Sequence, residues 1–504
     1  MHVVIAGNGV LALTAALRLA VRLKPGDRIS IIGKATRPGS ATLSAAAMLN
    51  SFAEIEAGSL KSELELYRFE LSHLATRMWP RFVREIIEAA GPGVRAECSK
   101  CQGPCRGCFD QGTYVINNTA ADDLDDENFD AIVEGLVKFH EPHELVSPRS
   151  IPNYKPAQRH RATRAVYLPN EGWLNPRLMI EFLEAALLRH SQVRFIEGVV
   201  DRLSKTGATI DSVLLEDGQR LEGDKFLLAT GASATDVLIR SELELPVQRV
   251  FYGVGVSIEI QSPDFPHRKC IRTPNRGLAC GVYSVPYVVG PDQAHDHVLI
   301  GATNFISPKP YPNGRLTSVE TLLRAGIEQI NANFYRADLV RVNVGWRPTS
   351  QDTYPLIGRT SIPNLIIATG TKRDGIHLSP VLSEKIAALV LGEALDERFA
   401  VFAPERKLIR ELTREQAIAK AIRHQINADY QHDFSPSKNR MSEQIVEMYR
   451  ANLERLHDQV GAHDWGIPVE MLDMYRYGHA VPDGSTSPRP KAAAAGKGSR
   501  TLPD

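Results

Sequence analysis

The chain has 504 residues, of which 43% are hydrophobic and 23% are charged, and its 59 basic residues balance 59 acidic ones. This composition indicates a packed globular protein of more than one domain and excludes a disordered or collagen-like chain. Proteins that bind mainly nucleic acid usually carry a basic surplus, so no nucleic-acid partner is expected. No apolar run is long enough to span a bilayer and no signal peptide is visible, which favours a cytoplasmic protein.

A glycine-rich turn lies between a short strand and a helix near the start of the chain. Residues 3–6 have the pattern of a buried strand, and residues 7–12 follow as G-x-G-x-x-A before a helical pattern begins. Such glycines let the backbone approach a pyrophosphate, which the helix N-terminus then attracts. A second strand at 28–32 completes the context for dinucleotide binding. The acidic residue that usually ends this strand is absent, because Gly33 and Lys34 stand there.

Three later segments favour a flavin as the cofactor. Residues 39–49 are rich in small side chains, which suit either backbone packing against a flat ring system or a tight helix start. Apolar strands at 226–229 and 365–368 both run into Thr-Gly, and a loop and a helix over 379–391 follow the second. Strands that return so far along the chain indicate a cofactor domain assembled from separated segments.

With these features the sequence resembles the flavin-dependent D-amino-acid oxidase superfamily, most closely its glycine oxidase and sarcosine oxidase branch. The resemblance extends to about residue 400 and rests on the glycine fingerprint and on motifs at 172–177, 301–303, 345–349, 354–359 and 370–380. It implies an α/β fold in which a Rossmann-like FAD-binding domain is interleaved with an α+β substrate domain that has a mostly antiparallel sheet. It also implies FAD-dependent oxidation of the C–N bond of an amine or amino acid.

The resemblance and the local patterns predict how the chain is divided. We expect FAD-binding segments at 1–51, 166–245 and 345–399, substrate-domain segments at 52–165 and 246–344, a helical extension at 400–480 and a disordered tail at 481–504. The extension carries two amphipathic helical patterns, suited to covering the flavin domain, to an oligomer interface or to docking a partner subunit. An acidic run at 122–127 has the pattern of a solvated helix start.

The resemblance places the cofactor contacts in several separate segments. The positions carried over are Gly7, Gly9, Val10, Leu11, Ala12, Gly33, Lys34, Thr42, Leu43, Ser44, Ala45, Ala46, Ala47, Met48, Val200, Thr230, Gly231, Gly370, Thr371, Lys372, Arg373, Asp374, Gly375, Ile376 and His377. The helix behind the last loop would aim its N-terminus at the flavin. His377 either adds a hydrogen bond to the flavin or is a loop histidine satisfied by solvent or backbone.

Candidate substrate-binding residues follow from the same resemblance. The planar fork of Arg347 suits a substrate carboxylate, although an internal ion pair would also account for it. Arg373 matches a second cation near the same site. Tyr283 and Tyr252 lie on strands that resemble the substrate-facing ones, where they would line an apolar pocket or belong to the core.

Four of the six cysteines form a cluster that the family pattern lacks. Their spacing is C-x2-C-x3-C-x2-C, formed by Cys98, Cys101, Cys105 and Cys108. Four thiolates at this spacing suit structural zinc or an iron–sulfur cluster, with redox-active or unligated thiols as the remaining interpretation. Disulfides are disfavoured in a reducing cytoplasm. Cys270 and Cys280 are expected to be structural thiols.

The sequence therefore predicts an FAD-dependent oxidoreductase that passes a hydride from an amine or amino acid to its flavin. Oxygen or a redox partner would reoxidise the flavin. A first alternative is the same fold acting on a carrier-bound or modified substrate, with the C-terminal helices as the dock. A second is a flavin-binding subunit of a larger dehydrogenase complex, and a homo-oligomer would also use these helices.

Overall fold

A computed structural model of the chain describes residues 1–94, 109–118, 120, 122–262, 268–277, 281–286, 297–431 and 440–484. The strands are β1 His2–Ala6, β2 Arg28–Ile32, β3 Met48–Leu49, β4 Asp110–Asn118, β5 Glu144–Val146, β6 Ala162–Trp173, β7 Val193–Ile196, β8 Val200–Thr206, β9 Thr209–Leu215, β10 Arg220–Glu222, β11 Lys225–Leu228, β12 Val250–Gln261, β13 Cys270–Arg272, β14 Tyr283–Pro286, β15 His297–Gly301, β16 Phe305–Ser307, β17 Asp338–Ser350, β18 Leu356–Arg359 and β19 Leu365–Thr369. The helices are α1 Val10–Ala20, α2 Glu63–Ala90, α3 Asp123–Lys138, α4 Pro176–Leu188, α5 Ala234–Arg240, α6 Leu316–Ala325, α7 Ser379–Leu391, α8 Arg414–Gln431, α9 Arg440–Val460 and α10 Leu472–Arg476.

The first sheet has six strands in the order β18-β19-β11-β1-β2-β7. Its neighbouring strands are parallel, except for the antiparallel pair of β18 and β19. The central strand is buried on both faces, as its run of β-branched residues predicts, and α1, α2, α4 and α7 share one hydrophobic core with this sheet. The predicted Rossmann-like domain with strands returning from distant segments is confirmed.

The second sheet is larger and mostly antiparallel, as predicted. Its path is β16-β12-β15-β14-β13-β4-β6-β3, with β17 added to β12 and β5 to β6. Only β13 and β4 pair in parallel among the strand pairs that the structure describes in this sheet. A separate three-stranded antiparallel sheet is formed by β8, β9 and β10.

Two predicted segment boundaries fall inside strands of the larger sheet. The boundary at 166 lies within β6, and the boundary at 345 lies within β17. β17 continues to Ser350 because it keeps one antiparallel partner, β12, along its whole length. The motif at 345–349 therefore belongs to a strand of the larger sheet, which brings that sheet to the edge of the cofactor domain.

The C-terminal extension is helical, as predicted, and packs onto the larger sheet. Trp465, Met471 and Tyr475 form a buried cluster with Phe251 of β12. The tail prediction is wrong at its start, because the side chain of Gln351 donates a hydrogen bond to the Val481 carbonyl. Residues 485–504 lie outside the described residues. Within the part of the chain that the structure describes, no helix combines the length and the hydrophobicity of a membrane span.

The acidic run does begin a helix, but it is not wholly solvated. Asp122 caps α3 by accepting a hydrogen bond from the Leu124 N–H at 3.2 Å. Asp125 is buried, and its carboxylate pairs with the equally buried Arg276 guanidinium at 2.7 Å. The prediction of a solvated run is therefore wrong at Asp125, because a charge this deeply buried requires a partner from another segment.

Candidate functional site

The glycine fingerprint forms the tight turn that the sequence predicts. Gly7 has φ +118°, and a Cβ at this position would lie 2.2 Å from the Ala229 carbonyl oxygen on the neighbouring chain segment. A Cβ on Gly33 would meet the side chain of Asn8 at 2.3 Å. Gly9 is the N-cap of α1 and contributes no side chain to this end. The Val10 N–H donates to the Thr42 hydroxyl at 3.3 Å, and the helix dipole favours an anion at this N-terminus.

A cavity of about 350 Å³ runs along the carboxyl ends of β1, β2, β11 and β19 and reaches β12 and β17 of the larger sheet. We refer to it as the cofactor cavity. Every predicted cofactor-binding residue lines it except Ala12, Leu43 and Gly370. Ala12 and Leu43 pack into the hydrophobic core, and Gly370 turns the chain against the backbone of Leu356.

Three buried polar atoms in the cofactor cavity have no hydrogen-bond partner among the residues that the structure describes. These atoms are Thr230 Oγ1, Asn50 Oδ1 and His377 Nδ1, and all three residues line the cavity. Buried polar atoms normally have hydrogen-bond partners, so these atoms point to a polar ligand. Together with the glycine turn and the helix N-terminus behind it, they fit FAD, whose pyrophosphate would lie at Gly9 and the start of α1.

The small residues of 39–48 allow this segment to pack against β17. The Gly39 carbonyl accepts a hydrogen bond from the Trp346 N–H at 2.9 Å, and a Cβ on Gly39 would lie 2.3 Å from the Trp346 ring. The Ser44 hydroxyl donates to the Val344 carbonyl at 3.0 Å. The segment is a succession of turns and contains no helix, so the interpretation as a helix start is wrong.

Arg347 lies on β17 and its side chain reaches the cofactor cavity. Its guanidinium donates to the Thr303 carbonyl at 3.1 Å and to Asn304 Oδ1 at 3.0 Å, which are both neutral acceptors. Gly255 on β12 leaves room for it, because a Cβ there would lie 2.3 Å from Nη2. Among the described residues no carboxylate reaches ion-pair distance of Arg347, so within this part of the chain its fork is not used in an internal ion pair and suits an anionic ligand.

Arg373 also lines the cavity, but its guanidinium is paired. Nη2 lies 3.1 Å from Glu54 Oε2, and the other oxygen of Glu54 lies 2.5 Å from Nη1 of Arg272. Burial by itself would raise the pKa of Glu54, but the two arginines outweigh burial and lower it. Glu54 is therefore a carboxylate in the cavity wall, and it was missed by sequence reasoning because its partners come from distant segments.

The two candidate tyrosines differ in position. Tyr283 lines the cofactor cavity, whereas Tyr252 does not. The Tyr252 hydroxyl donates to Asp236, and burial together with that carboxylate raises the pKa of the phenol far above its usual value. Its ring meets Trp346 edge-on at 5.6 Å. This placement matches the core interpretation of Tyr252 and corrects the expectation that it faces substrate.

His377 is only 5% exposed, so of the two partners in the loop-histidine alternative, solvent or backbone, the structure provides the backbone. Its Nε2 lies 2.9 Å from the Ser72 carbonyl of α2, and a carbonyl only accepts, so Nε2 carries the proton. Burial lowers the pKa of the imidazole, which favours the neutral ring. The His377 carbonyl accepts a hydrogen bond from Trp79 Nε1 at 2.8 Å. Helix α2 therefore contacts both the side chain and the backbone of His377.

Glu171 is a buried carboxylate that sequence reasoning missed. It accepts hydrogen bonds from the backbone N–H groups of Ser51 at 2.7 Å and Phe52 at 2.5 Å, and from Asn50 Nδ2 at 2.7 Å. It thereby fixes the short 3-10 helix Phe52–Glu54. The detectable signal is a single Glu in a strand beside the Gly-Trp motif, where a buried charge is unusual.

Arg37 is a third residue that the sequence prediction omitted. It lines the cofactor cavity, and its Nε donates to the Asn8 carbonyl at 3.0 Å. Its other end pairs with Glu184 of α4. The guanidinium therefore supports the second residue of the glycine fingerprint, and no motif around Arg37 in the sequence indicated this contact.

A second cavity of about 480 Å³ lies behind the last cofactor loop. Six residues line both cavities, namely Asn50, Glu54, Thr371, Lys372, Arg373 and Asp374. Its far side is formed by the C-terminal extension, including Lys420, His424 and Glu470. The extension therefore reaches the wall of the cofactor cavity.

The cysteine cluster lies outside the described residues, as do the predicted metal ligands Cys98, Cys101, Cys105 and Cys108. Within the described ranges no group of His, Cys, Asp and Glu side chains is arranged to hold a metal ion. Cys270 is buried beside Trp173 and Tyr283, which agrees with a structural role. Cys280 also lies outside the described residues.

Comparisons with known proteins agree with this geometry. A family model described as FAD dependent oxidoreductase matches residues 2–389. The bifunctional protein ThiO/ThiG of Nostoc sp. (strain PCC 7120 / SAG 25.82 / UTEX 2576) is 23% identical over 425 residues, which cover 79% of this chain and 54% of that protein. The chain thus spans about half the length of this curated relative.

Two solved structures have the same fold. Iminodiacetate oxidase from Chelativorans sp. BNC1 has a TM-score of 0.64 and 21% identity, covering 80% of this chain and 98% of its own. Glycine oxidase from Geobacillus kaustophilus has a TM-score of 0.63 and 20% identity, with the same coverage of 80% and 98%. Both matches thus leave about a fifth of this chain uncovered.

Proposed function

Because the chain belongs to the FAD-dependent oxidoreductase family, we propose that it oxidises the C–N bond of an amine or amino acid that carries a carboxylate. FAD, when bound, supplies the two-electron acceptor for this oxidation. The observation that carries the proposal is the Arg347 guanidinium, which lines the cofactor cavity and, among the described residues, donates to two neutral acceptors and to no carboxylate. The similar structures described as glycine oxidase and iminodiacetate oxidase support the same substrate class.

In this proposal the protein acts mainly by orientation. Arg347 binds the substrate carboxylate through two parallel hydrogen bonds, which fixes the direction of the amine relative to the cavity wall. Tyr283 bounds the substrate position with an aromatic ring and a polar tip, and Met48 gives it an apolar surface. Arg373 acts as a second cation near the substrate. If Arg373 turns from Glu54 to a ligand, Glu54 remains paired with Arg272.

Replacing Arg347 tests this function. We expect Arg347→Met to lower kcat/KM for the best amino-acid substrate by about tenfold to a hundredfold. This corresponds to the loss of about 1.5–3 kcal/mol, the usual contribution of hydrogen bonds to a charged group. Arg347→Lys keeps the charge without the fork and should recover only part of the loss. The matched control is Arg341→Met, because Arg341 is an exposed arginine on the same strand.

The assay is bleaching of the bound flavin absorbance under anaerobic conditions, with a panel of glycine, N-methylated and D- and L-amino acids and simple amines. Failure of every compound to reduce the wild-type flavin would overturn the proposed reaction. An unchanged kcat/KM in Arg347→Met would instead leave the reaction standing and remove Arg347 from its proposed role.

We also propose that Cys98, Cys101, Cys105 and Cys108 bind one metal centre, on the basis of their spacing alone. Zinc in a one-to-one ratio with the chain supports the structural site, whereas iron with broad visible absorbance supports an iron–sulfur cluster. Metal analysis of anaerobically purified protein decides between them. Absence of both metals in protein with four reactive thiols refutes the centre.

The electron acceptor, partners and location stay predictions from the sequence. We propose oxygen or a redox partner as the acceptor, and stoichiometric release of hydrogen peroxide during turnover would identify an oxidase. A homo-oligomer or a partner subunit would use the C-terminal helices, which sedimentation of the full chain tests. A cytoplasmic location and a carrier-bound substrate rest on the sequence alone.

A further inference from the structure

The C-terminal extension touches the cofactor loop through one ion pair. Lys372 lies in the loop between β19 and α7 and lines the cofactor cavity. Its Nζ lies 2.6 Å from Oε1 and 2.6 Å from Oε2 of Glu470. Glu470 belongs to the 3-10 helix Val469–Met471, well beyond residue 389 where the family match ends. The pair therefore joins a segment outside the family pattern to a segment that forms the cofactor site.

The backbone of Lys372 has a conformation that needs external support. Its φ is +51°, in the left-handed region that side chains other than glycine rarely adopt. Its N–H donates to the Pro348 carbonyl at 2.8 Å, one residue after Arg347. With its amide tied to β17 and its ammonium tied to Glu470, the Lys372 side chain has a fixed direction.

Glu470 is itself rigidly mounted. The neighbouring Met471 is fully buried and packs with Trp465 and with Phe251 of β12. The Glu470 side chain is only 24% exposed. Burial by itself would raise the pKa of Glu470, but Lys372 and Arg373 together outweigh burial and lower it. The structure thus holds a carboxylate charge at a defined point behind the cofactor loop.

The charge balance of this wall depends on residues from several segments. Arg373, next to Lys372, is paired with Glu54, and Glu56 on the far side is paired with Lys420 of α8 at 3.2 Å. Each of these cations thus has a carboxylate partner. Lys372 and Arg373 line the cofactor cavity, so removing the carboxylate partner of either one leaves a cation uncompensated there.

We propose that Glu470 is a positioning residue of the cofactor site: it holds the Lys372 ammonium in the cavity wall and offsets its charge, and so sets the reduction potential of bound FAD. Reduction adds electrons to the flavin, so a nearby uncompensated cation favours the reduced form and a nearby uncompensated carboxylate opposes it. The proposal rests on FAD occupying the cofactor cavity and does not depend on which substrate is oxidised.

This charge role predicts shifts of opposite sign. Glu470→Gln leaves Lys372 uncompensated and should raise the reduction potential. Lys372→Met leaves the Glu470 carboxylate uncompensated and should lower it. The double variant removes both charges and should return the potential towards the wild-type value. If the contact were purely structural, the reduction potentials of both single variants would shift in the same direction, or only their stability would change.

The experiment is a redox titration of each holoprotein against a reference dye. We expect each single variant to change the ratio of affinities for reduced and oxidised FAD by about tenfold, which is about 30 mV for a two-electron couple. Glu470→Asp keeps the charge and should stay close to wild type. The matched control is Asp473→Asn, because Asp473 forms an exposed ion pair with Arg476 at 2.6 Å in the same extension.

Same-direction shifts, no shift, or an equal shift in Asp473→Asn would overturn the proposal. If a single variant loses FAD, the dissociation constant is measured instead: recovery of FAD binding in the double variant supports the pairing, and no recovery refutes it. If no amine reduces the wild-type flavin, the proposed reaction fails, while the potentials still decide the role of Glu470.

Discussion

The glycine fingerprint offers the sharpest test of how the fold builds the cofactor site. Gly7 has φ +118° and leaves no room for a Cβ, which would lie 2.2 Å from the Ala229 carbonyl oxygen. Gly392, the residue that ends α7, has φ +84°, but a Cβ added there would meet no other part of the chain within 4 Å. The two glycines share a positive φ and differ in the steric contact, so Gly392→Ala is a matched control for Gly7→Ala.

The expected costs follow from this difference. A left-handed backbone conformation costs an alanine about 1–2 kcal/mol relative to glycine, and both variants bear this cost. Gly7→Ala must also move a backbone carbonyl by about 0.8 Å to reach the 3.0 Å limit of real contacts. Overpacking of this kind costs about 1–3 kcal/mol, so a total loss of about 2–5 kcal/mol is expected at Gly7.

The assay combines thermal unfolding with titration of the apoprotein by FAD. Both variants should be destabilised, with the larger loss in Gly7→Ala. Only Gly7→Ala should weaken FAD binding, by about tenfold or more, because only there does the turn shift away from the pyrophosphate position. A Gly7→Ala protein that binds FAD with the wild-type dissociation constant and unfolds no more easily than Gly392→Ala would refute the reasoning.

Three further predictions concern buried polar groups. Glu171→Gln should cost about 1–3 kcal/mol because its amide cannot accept every hydrogen bond that the carboxylate accepts; an unchanged melting temperature would contradict this role. Arg276→Met should cost about 3–5 kcal/mol because it leaves the Asp125 carboxylate buried without its partner, and adding Asp125→Leu should recover most of the loss; equal melting temperatures of the single and double variants would count against it. Burial lowers the pKa of His377 below 6.5, so the folded protein favours the neutral imidazole. The contribution of neutral His377 to folding stability is complete above pH 6.5 and is lost as the pH falls through the lowered pKa. When the pH is lowered from about 7.5 to about 5.5, the melting temperature of His377→Gln should therefore fall less than that of wild type. An equal fall would disprove the lowered pKa of His377.

Much of the cofactor domain could be predicted because its signals are local. The glycine turn, the β-branched strand before it and the returning strands at 226–229 and 365–368 each depend on neighbouring residues. The prediction of a helix over 379–391 that ends at Gly392 matches the structure, because glycine at a left-handed position ends helices. These elements then placed most of the predicted cofactor residues in one cavity.

The substrate side could be predicted only in part. Tyr252 and Tyr283 carry the same kind of local pattern, yet only Tyr283 lines the cofactor cavity. Which face of a strand turns towards the site depends on its register with strands from distant segments. The predicted boundary at 345 lies inside a strand for the same reason, because pairing with β12 extends β17 to Ser350.

By itself the sequence determined that this protein has a glycine fingerprint at a strand–helix turn, a cofactor domain returning from distant segments, and an arginine at 347 suited to a carboxylate. Only the tertiary structure decided that Arg373 is paired with Glu54, that Glu171 fixes the turn carrying Glu54, and that Glu470 reaches Lys372. The physical reason is the separation along the chain of the residues that interact. Turns and helix ends are set by neighbouring residues, whereas a buried charge is paired by whichever segment the fold brings to it, and no spacing in the chain records that meeting.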